Sequence, residues 1–354
     1  MICLLSILQA TFYVPGKRIT MRSGVSSSKM CLLRKRLRQQ PTGLKPAQDG
    51  GLAMSNPALS KGTKHIKGKK ASTGLAPYVF IAPAAILFII FTGYPVIYSF
   101  VLSFTVNENG VNTFAGLSNY IRLFQDSLFY EALFNTFIIL LVQVPVMICM
   151  AVILANVLHS GIRRFKGPLR VAFFTPTVTS LVATAVIFLL ILNQDFGIIN
   201  YVLTSVGIER IPWLNDPFWA KVSVILTILW RWTGYNMVII LAGLQVIPKD
   251  LYEAAEIDGA STIKKFFSIT VPQLKPVLLF AFVMSTIGTF QLFDEVFILT
   301  GGGPINATMT VTMYLYENGF EYFDFGYASA IAYVIVIIIA FLSFIQFKVA
   351  GDRE

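Results

Sequence analysis

The chain has 354 residues, of which 55% are hydrophobic, 14% aromatic and only 13% charged. A soluble domain carries roughly a quarter charged residues, so an ordinary water-soluble fold is excluded. The formal net charge of +10 is uneven: residues 1–76 hold fourteen Lys and Arg against one acid, Asp49, while the rest is weakly acidic.

The first segment, residues 1–76, is rich in Lys, Gly, Ser and Pro with little periodicity, the composition of a disordered tail. Its stretch KGTKHIKGKK (61–70) reads as a solvated cytoplasmic flank that orients the first helix and touches anionic lipid. A nucleic-acid arm is the weaker reading, and no nucleic-acid partner is expected. The spacing around Gly62 and Gly68 does not make a phosphate loop, because no Ser or Thr follows Lys69. The opening MICLLSILQATFYV lacks the basic start of a signal peptide, and Met54 is a candidate translation start.

Six apolar runs follow, each long enough to cross a hydrocarbon core, which takes about 20 helical residues. They are Pro77–Phe104, Ala132–Leu158, Val171–Leu192, Phe218–Leu241, Pro276–Leu299 and Ala328–Val349. None alternates as a membrane-barrel strand would. The expected fold is therefore all-α: a polytopic six-helix membrane domain over 77–349 with a short tail at 350–354. Basic residues alternate between the loops. Loop 159–170 carries Arg163, Arg164, Lys166 and Arg170, and loop 242–275 carries Lys249, Lys264, Lys265 and Lys275. Loops 105–131 and 193–217 carry one each, and 300–327 none. Basic loops stay cytoplasmic, which places both termini inside the cell.

Catalytic and metal-binding patterns are lacking in the sequence. Cys3, Cys31 and Cys149 are scattered, His65 and His159 have no neighbouring ligand set, and no nucleotide fold is present. No cofactor, no metal and no enzymatic activity are expected; energy for uphill movement would come from a partner.

The most informative stretch is the loop between the fourth and fifth runs. Pro248 and Asp250 mark a helix start, LYEAAEI continues it, and Gly259 ends it. Ser261 caps a second helix, TIKKFFSI, expected to stop before Pro272. Ala254, Ala255 and Gly259 make a low-relief face, with Glu253 and Glu256 beside it. Such a helix either docks in a groove on another protein or packs on its own membrane core. Within the runs, LWRWTGYNM supplies Arg231, Trp232, Tyr235 and Asn236, and STIGTFQLFDEVF supplies Ser285, Thr289, Gln291, Asp294 and Glu295. Trp232, Tyr235 and Asn236 share a helix face, as do Ser285 and Thr289. These are candidates for a solute pocket near the bilayer midplane, with helix packing as the alternative. An intramembrane charge costs roughly 2.5–3.5 kcal/mol on insertion scales, so Arg231 is expected to pair with Asp294 or Glu295.

Glu253-Ala254-Ala255, then Gly259, then Ile269-Thr270-Val271-Pro272 resembles the EAA loop in membrane subunits of binding-protein-dependent ABC importers. Val271 replaces a Leu of that pattern. LAGLQVIPKDLYEAAEIDGA, ILTGGGP, FAGLSNY and FGYASA extend the resemblance to the carbohydrate branch, and within it to the maltose- and lactose-type first permease. The resemblance implies a permease subunit that imports a sugar or oligosaccharide by alternating access; a polyol or glycerol-phosphate-like solute is the alternative. It implies a second, different permease, two cytoplasmic ATPase subunits and an extracytoplasmic solute-binding protein as partners. Glu253, Ala254, Ala255, Glu256, Asp258, Gly259 and Ala260 would form the coupling element, with Glu253 facing basic residues of the ATPase and Gly259 making the bend. The solute pocket would be lined from the fourth and fifth helices. The turn at Gly301–Gly303 and Pro304, and the amphipathic segment 114–124, would lie on the outer side.

Overall fold

A computed structural model describes residues 76–108, 111–160 and 166–351. The expectations for the basic tail, for a start at Met54, for Arg163 and Arg164 and for the last three residues lie outside these. The residues from Ile86 on form one compact unit, described below.

Among the described residues, five helices are long and apolar enough to cross a membrane: Tyr78–Leu102, Ser127–His159, Pro217–Val246, Thr262–Phe290 and Phe325–Ala350; a bent pair, Lys166–Val178 and Leu181–Ile191, makes a sixth when taken as one span. The first contains α1 (Ala76–Phe88) and α2 (Tyr94–Leu102), joined by a wide helical turn at Ile89–Gly93. Pro95, in the first turn of α2, has no N–H to give to a helical ladder, and a wide turn absorbs that loss. A hairpin of β1 (Thr105–Glu108) and β2 (Val111–Phe114) follows, antiparallel with Thr105 opposite Phe114. Next come α3 (Ser118–Leu123) and the second span, α4 (Ser127–Ser160). Segment 114–124, expected as one amphipathic piece, is thus part strand and part helix.

The third run departs from expectation. It is a pair of helices, α5 (Lys166–Val178) and α6 (Leu181–Ile191), bent by 96° at their junction. Loop helix α7 (Ile198–Ser205) leads to α8 (Pro217–Val246). Asp216 starts α8 by accepting from the backbone N–H of Phe218 at 2.9 Å and Trp219 at 3.0 Å, with Pro217 preset for the first turn.

The second helix of the polar loop does not stop before Pro272. Short α10 (Thr262–Lys265), introduced after α9 (Lys249–Ile257), runs through a wide turn at Phe266–Thr270 into α11 (Val271–Phe290). The Val271 N–H reaches back to the Phe266 carbonyl, and this wide turn just ahead of Pro272 absorbs the loss of its N–H from the ladder. The fifth run, expected to continue to Leu299, breaks after Phe290. Gln291–Phe293 are not helical and α12 (Asp294–Leu299) starts anew. The carbonyls freed there are taken by threonines: Thr312 Oγ1 donates to Phe290 at 2.5 Å and Thr310 Oγ1 to Leu292 at 2.7 Å. Helix α13 (Val311–Tyr316), a wide turn at Glu317–Glu321 and α14 (Phe325–Gly351) complete the chain.

The core lies between α4, α8, α11 and α14, where Ile139, Val144, Ile228, Ile287, Phe290 and Ile331 are buried together. A second cluster joins Ala151, Ala155 and Leu158 of α4 to Met237, Ile240 and Leu244 of α8 and Leu274 of α11. A polar clasp ties α3 to the last two helices. Asp126 accepts from the Tyr314 and Tyr327 hydroxyls. Arg122 pairs with Asp324 at 2.7 Å and lies 4.0 Å over the Tyr327 ring. Burial alone would raise the Asp126 pKa, but hydrogen bonds from both tyrosines and from the Phe129 and Leu128 amides hold it below the ordinary carboxylate value. The clasp's contribution is thus complete at neutral pH and is lost only as pH falls through that lowered pKa. Tyr314, buried beside Asp126, is pushed up to about 12 and stays protonated.

Helices α5 and α8 touch backbone to backbone at Gly234. A Cβ there would sit 1.7 Å from the Phe173 carbonyl oxygen. Gly234→Ala should therefore destabilise the fold by at least ~1–3 kcal/mol, the usual cost of overpacking. Gly288→Ala in α11, whose Cβ would meet nothing within 4 Å, should not. Thermal denaturation of the two variants in detergent checks this; equal midpoints would contradict the backbone contact.

Candidate functional site: a polar hairpin and a polar stripe

The polar hairpin is built by local rules. After α9, the Asp258 N–H bonds to the Ala254 carbonyl, the Gly259 N–H to Glu256 at 3.0 Å and the Ala260 N–H to Ala255 at 2.9 Å. This is the Schellman closure of a helix, which needs a left-handed residue just past the C-cap. Gly259 supplies it with φ of +73°. Ser261 then accepts from the Lys264 N–H at 3.3 Å and starts α10. Two bonds fix the hairpin's attitude: Lys265 to Glu256 at 2.7 Å, and Tyr252 Oη to Thr270 Oγ1 at 3.0 Å. The second joins α9 to the base of the fifth span. Glu256 pairs with Lys265 and is itself exposed. Glu253, Ala254, Asp258 and Gly259 are exposed, and Ala255 and Ala260 are partly so. Leu251 is exposed and Ile257 is 87% exposed. Beside the hairpin lies a cavity of about 260 Å³ lined by residues including Ile153, Val157, Ile263 and Phe267.

The structure divides the candidate pocket residues. Trp232 and Tyr235 are half-buried and pack edge to face at 5.8 Å. Asn236 is buried and spends its amide within the chain, on the Trp232 carbonyl at 3.2 Å and the Met147 sulfur at 3.5 Å. Thr289 is also buried and donates at 2.9 Å to Gln143 Oε1 and to the Ser285 carbonyl. Ser285 is half-buried. Gln291 sits in the break between α11 and α12, half-buried, and its Nε2 has no partner. The Thr289 hydroxyl is thus bonded within the chain, whereas the Gln291 amide nitrogen is not.

The charges depart from expectation. Arg231 forms no ion pair with Asp294 or Glu295. Its guanidinium donates to Thr184 Oγ1 at 3.2 Å, Thr179 Oγ1 at 3.5 Å and the Thr177 carbonyl at 3.4 Å. The physical reason is the bend in the third run, which leaves helix-end carbonyls and threonine hydroxyls facing α8. Glu295 is buried, while Asp294 is half-buried. Gln143, Met147 and the threonines of FTPTVTS (174–180) were missed in the sequence. Each is a polar or polarisable residue inside an apolar run, which was a readable signal, but its partner lies on another helix. A further cavity of about 330 Å³ is lined by Asp195, Phe196, Ile198, Tyr201, Thr204 and Arg210, away from the stripe.

Residues 147–351 match the family of binding-protein-dependent transport system inner membrane components. The chain is 46% identical over 282 residues to the lactose transport system permease protein LacF of Rhizobium radiobacter, covering 78% of this chain and 94% of the relative. It is 39% identical to the arabinooligosaccharides transport system permease protein AraP of Bacillus subtilis, covering 78% and 89%. A crystal structure of a bacterial ABC transporter for the acidic polysaccharide alginate superimposes with a TM-score of 0.69 at 21% identity, covering 78% of this chain and 95% of that one; this likeness concerns the fold. The chain belongs to the family of binding-protein-dependent inner membrane transport components. It is a multi-pass cell-membrane permease of the ABC importer type.

A left-handed residue other than Gly is strained at position 259. Gly259→Val should loosen the closure of α9 without touching the spans. Amide exchange over residues 249–260 should accelerate while exchange in α8 and α11 stays at the wild-type rate. Unchanged exchange would contradict the role given to the glycine.

Proposed function

We propose that this permease carries a sugar or oligosaccharide into the cell by alternating access, driven through α9 by a separate ATPase. The carrying observation is the hairpin itself. It is rigid by its own closure, bonded to the base of α11, and presents an exposed face of Leu251, Glu253, Ala254 and Ile257. A stiff polar handle joined to a span converts motion of a docked partner into motion of the span. The hairpin is cytoplasmic, as are both termini, and it seats in a groove on one of two ATPase subunits, Glu253 meeting basic residues there. ATP turnover belongs to those subunits, not to this chain. A second, different permease completes the membrane pair, and an extracytoplasmic binding protein delivers the cargo.

Carbohydrate as cargo is supported by the lactose and arabinooligosaccharide relatives and by the stripe's chemistry. Aromatic rings at Trp232 and Tyr235 offer faces to sugar C–H surfaces, and the unpaired Gln291 amide offers a donor to a hydroxyl. A phosphate-bearing solute is disfavoured, because the basic residue of the stripe, Arg231, is engaged at the bend.

The test is uptake by proteoliposomes holding this chain with its partner subunits and binding protein. Lactose, maltose and arabinotriose are supplied in turn, with glycerol 3-phosphate as the contrast. ATP-dependent accumulation of one sugar is expected; accumulation of glycerol 3-phosphate alone would overturn the reading. For the transported sugar, Gln291→Ala should raise KM about fivefold, the loss of one hydrogen bond worth ~1 kcal/mol. Asn236→Ala should lower the thermal midpoint instead, since its amide is used within the protein.

A further inference from the structure

Arg231 is a buried cation among the described residues, 5% exposed. It forms no ion pair, though Glu295 lies within electrostatic reach, and its two terminal nitrogens are bonded at the bend while its Nε is unpartnered. Helix α5 ends at Val178 and α6 begins at Leu181. A 96° bend interrupts the ladder of backbone bonds, and in apolar surroundings each freed carbonyl must find a donor within the protein. Local bonds meet part of the need: the Pro176 carbonyl accepts from the Thr179 N–H at 3.3 Å and Oγ1 at 2.6 Å, and the Ser180 carbonyl accepts from the Thr184 N–H and Oγ1, both at 3.0 Å. Arg231 takes the Thr177 carbonyl and also binds the Thr179 and Thr184 hydroxyls, which lie 3.0 Å apart. Thr177 Oγ1 returns a bond to the Arg231 carbonyl at 2.9 Å. A cation at a helix C-terminus is also favoured by the helix dipole. One turn further along α8, Gly234 allows the backbone contact with Phe173, so α8 grips α5 by charge and by shape. Beyond the bend, α6 packs against α12, the helix of Asp294 and Glu295 that follows Gln291.

We infer that Arg231 is a positioning residue of the transport path: it caps α5 at the bend and thereby seats α6 against α12, holding the Gln291 break in shape without touching the cargo. Only the uptake arm of the test rests on the sugar reading.

The test begins from the full chain with Cys3, Cys31 and Cys149 replaced and Ala185→Cys introduced. Ala185 is fully buried in α6, next to Thr184, so N-ethylmaleimide reacts there only when α6 lifts. In the assembled transporter, Arg231→Gln should raise the labelling rate by at least about tenfold through local opening. Arg231→Lys, which keeps the charge and three of the N–H donors on a single nitrogen, should recover most of the wild-type protection. Lactose uptake, or uptake of whichever sugar of the panel is carried, should fall in Arg231→Gln through the maximal rate and be largely rescued in Arg231→Lys. Labelling at the wild-type rate in Arg231→Gln overturns the inference, whether uptake survives or is lost. So does a higher KM with the maximal rate intact, the signature of a cargo ligand. The labelling arm needs no sugar, so its outcome stands even if no sugar of the panel is transported.

Discussion

Every backbone N–H and C=O within an apolar slab must find its partner inside the protein, since neither lipid nor water supplies one there. The fold is organised around the places where a straight helix cannot meet this demand. Two spans keep their ladders by widening one turn, at Ile89–Gly93 and at Phe266–Thr270, each beside a proline. The other breaks are met from a distance. Thr310 and Thr312 reach back to the end of α11, and Arg231 reaches across to the end of α5. These side chains join elements far apart in sequence. Breaking a helix at such a place commits its neighbours to fixed positions, and the polar stripe of α8, Gln291 and α12 lies among them.

The same constraint explains the division of labour along the chain. Outside the apolar segments, water can satisfy loose ends, and the α9 hairpin follows the rules of soluble helices: a Schellman closure, a serine cap and an ion pair. Its rigidity comes from local bonds, and the contacts of Glu256 with Lys265 and Tyr252 with Thr270 tie it to the start of the fifth span. The buried stripe has the opposite character. Most of its polar atoms are already bonded within the chain, and the buried Gln291 Nε2 is among the few that are not.

How much could be read in advance follows from the range of each interaction. The hairpin from Pro248 to Ser261 was legible almost residue by residue, because capping and closure involve neighbours within a few positions. The six apolar runs were legible from composition. The bend at Thr179–Ser180 and the break at Gln291–Phe293 were not, because hydropathy reports how apolar a run is and not its direction. The pairing of Arg231 failed for a related reason. The sequence points to a carboxylate as its partner, whereas the bend creates helix-end acceptors that no residue count displays. Likewise Thr289 and Asn236 share faces with their neighbours as spacing requires, but Gln143 and Met147, contributed by α4, decide what their polar atoms do.

The claim on which the account rests is that α9 receives the energy of transport. Ile257, 87% exposed on that helix, offers the most direct test. With a single cysteine at Ile257, the assembled transporter is treated with a short thiol-to-amine cross-linker. The account predicts a product joining this chain to the ATPase subunit, whose yield changes when ATP is added. An intact complex in which position 257 cross-links to no ATPase subunit, with or without ATP, would contradict it.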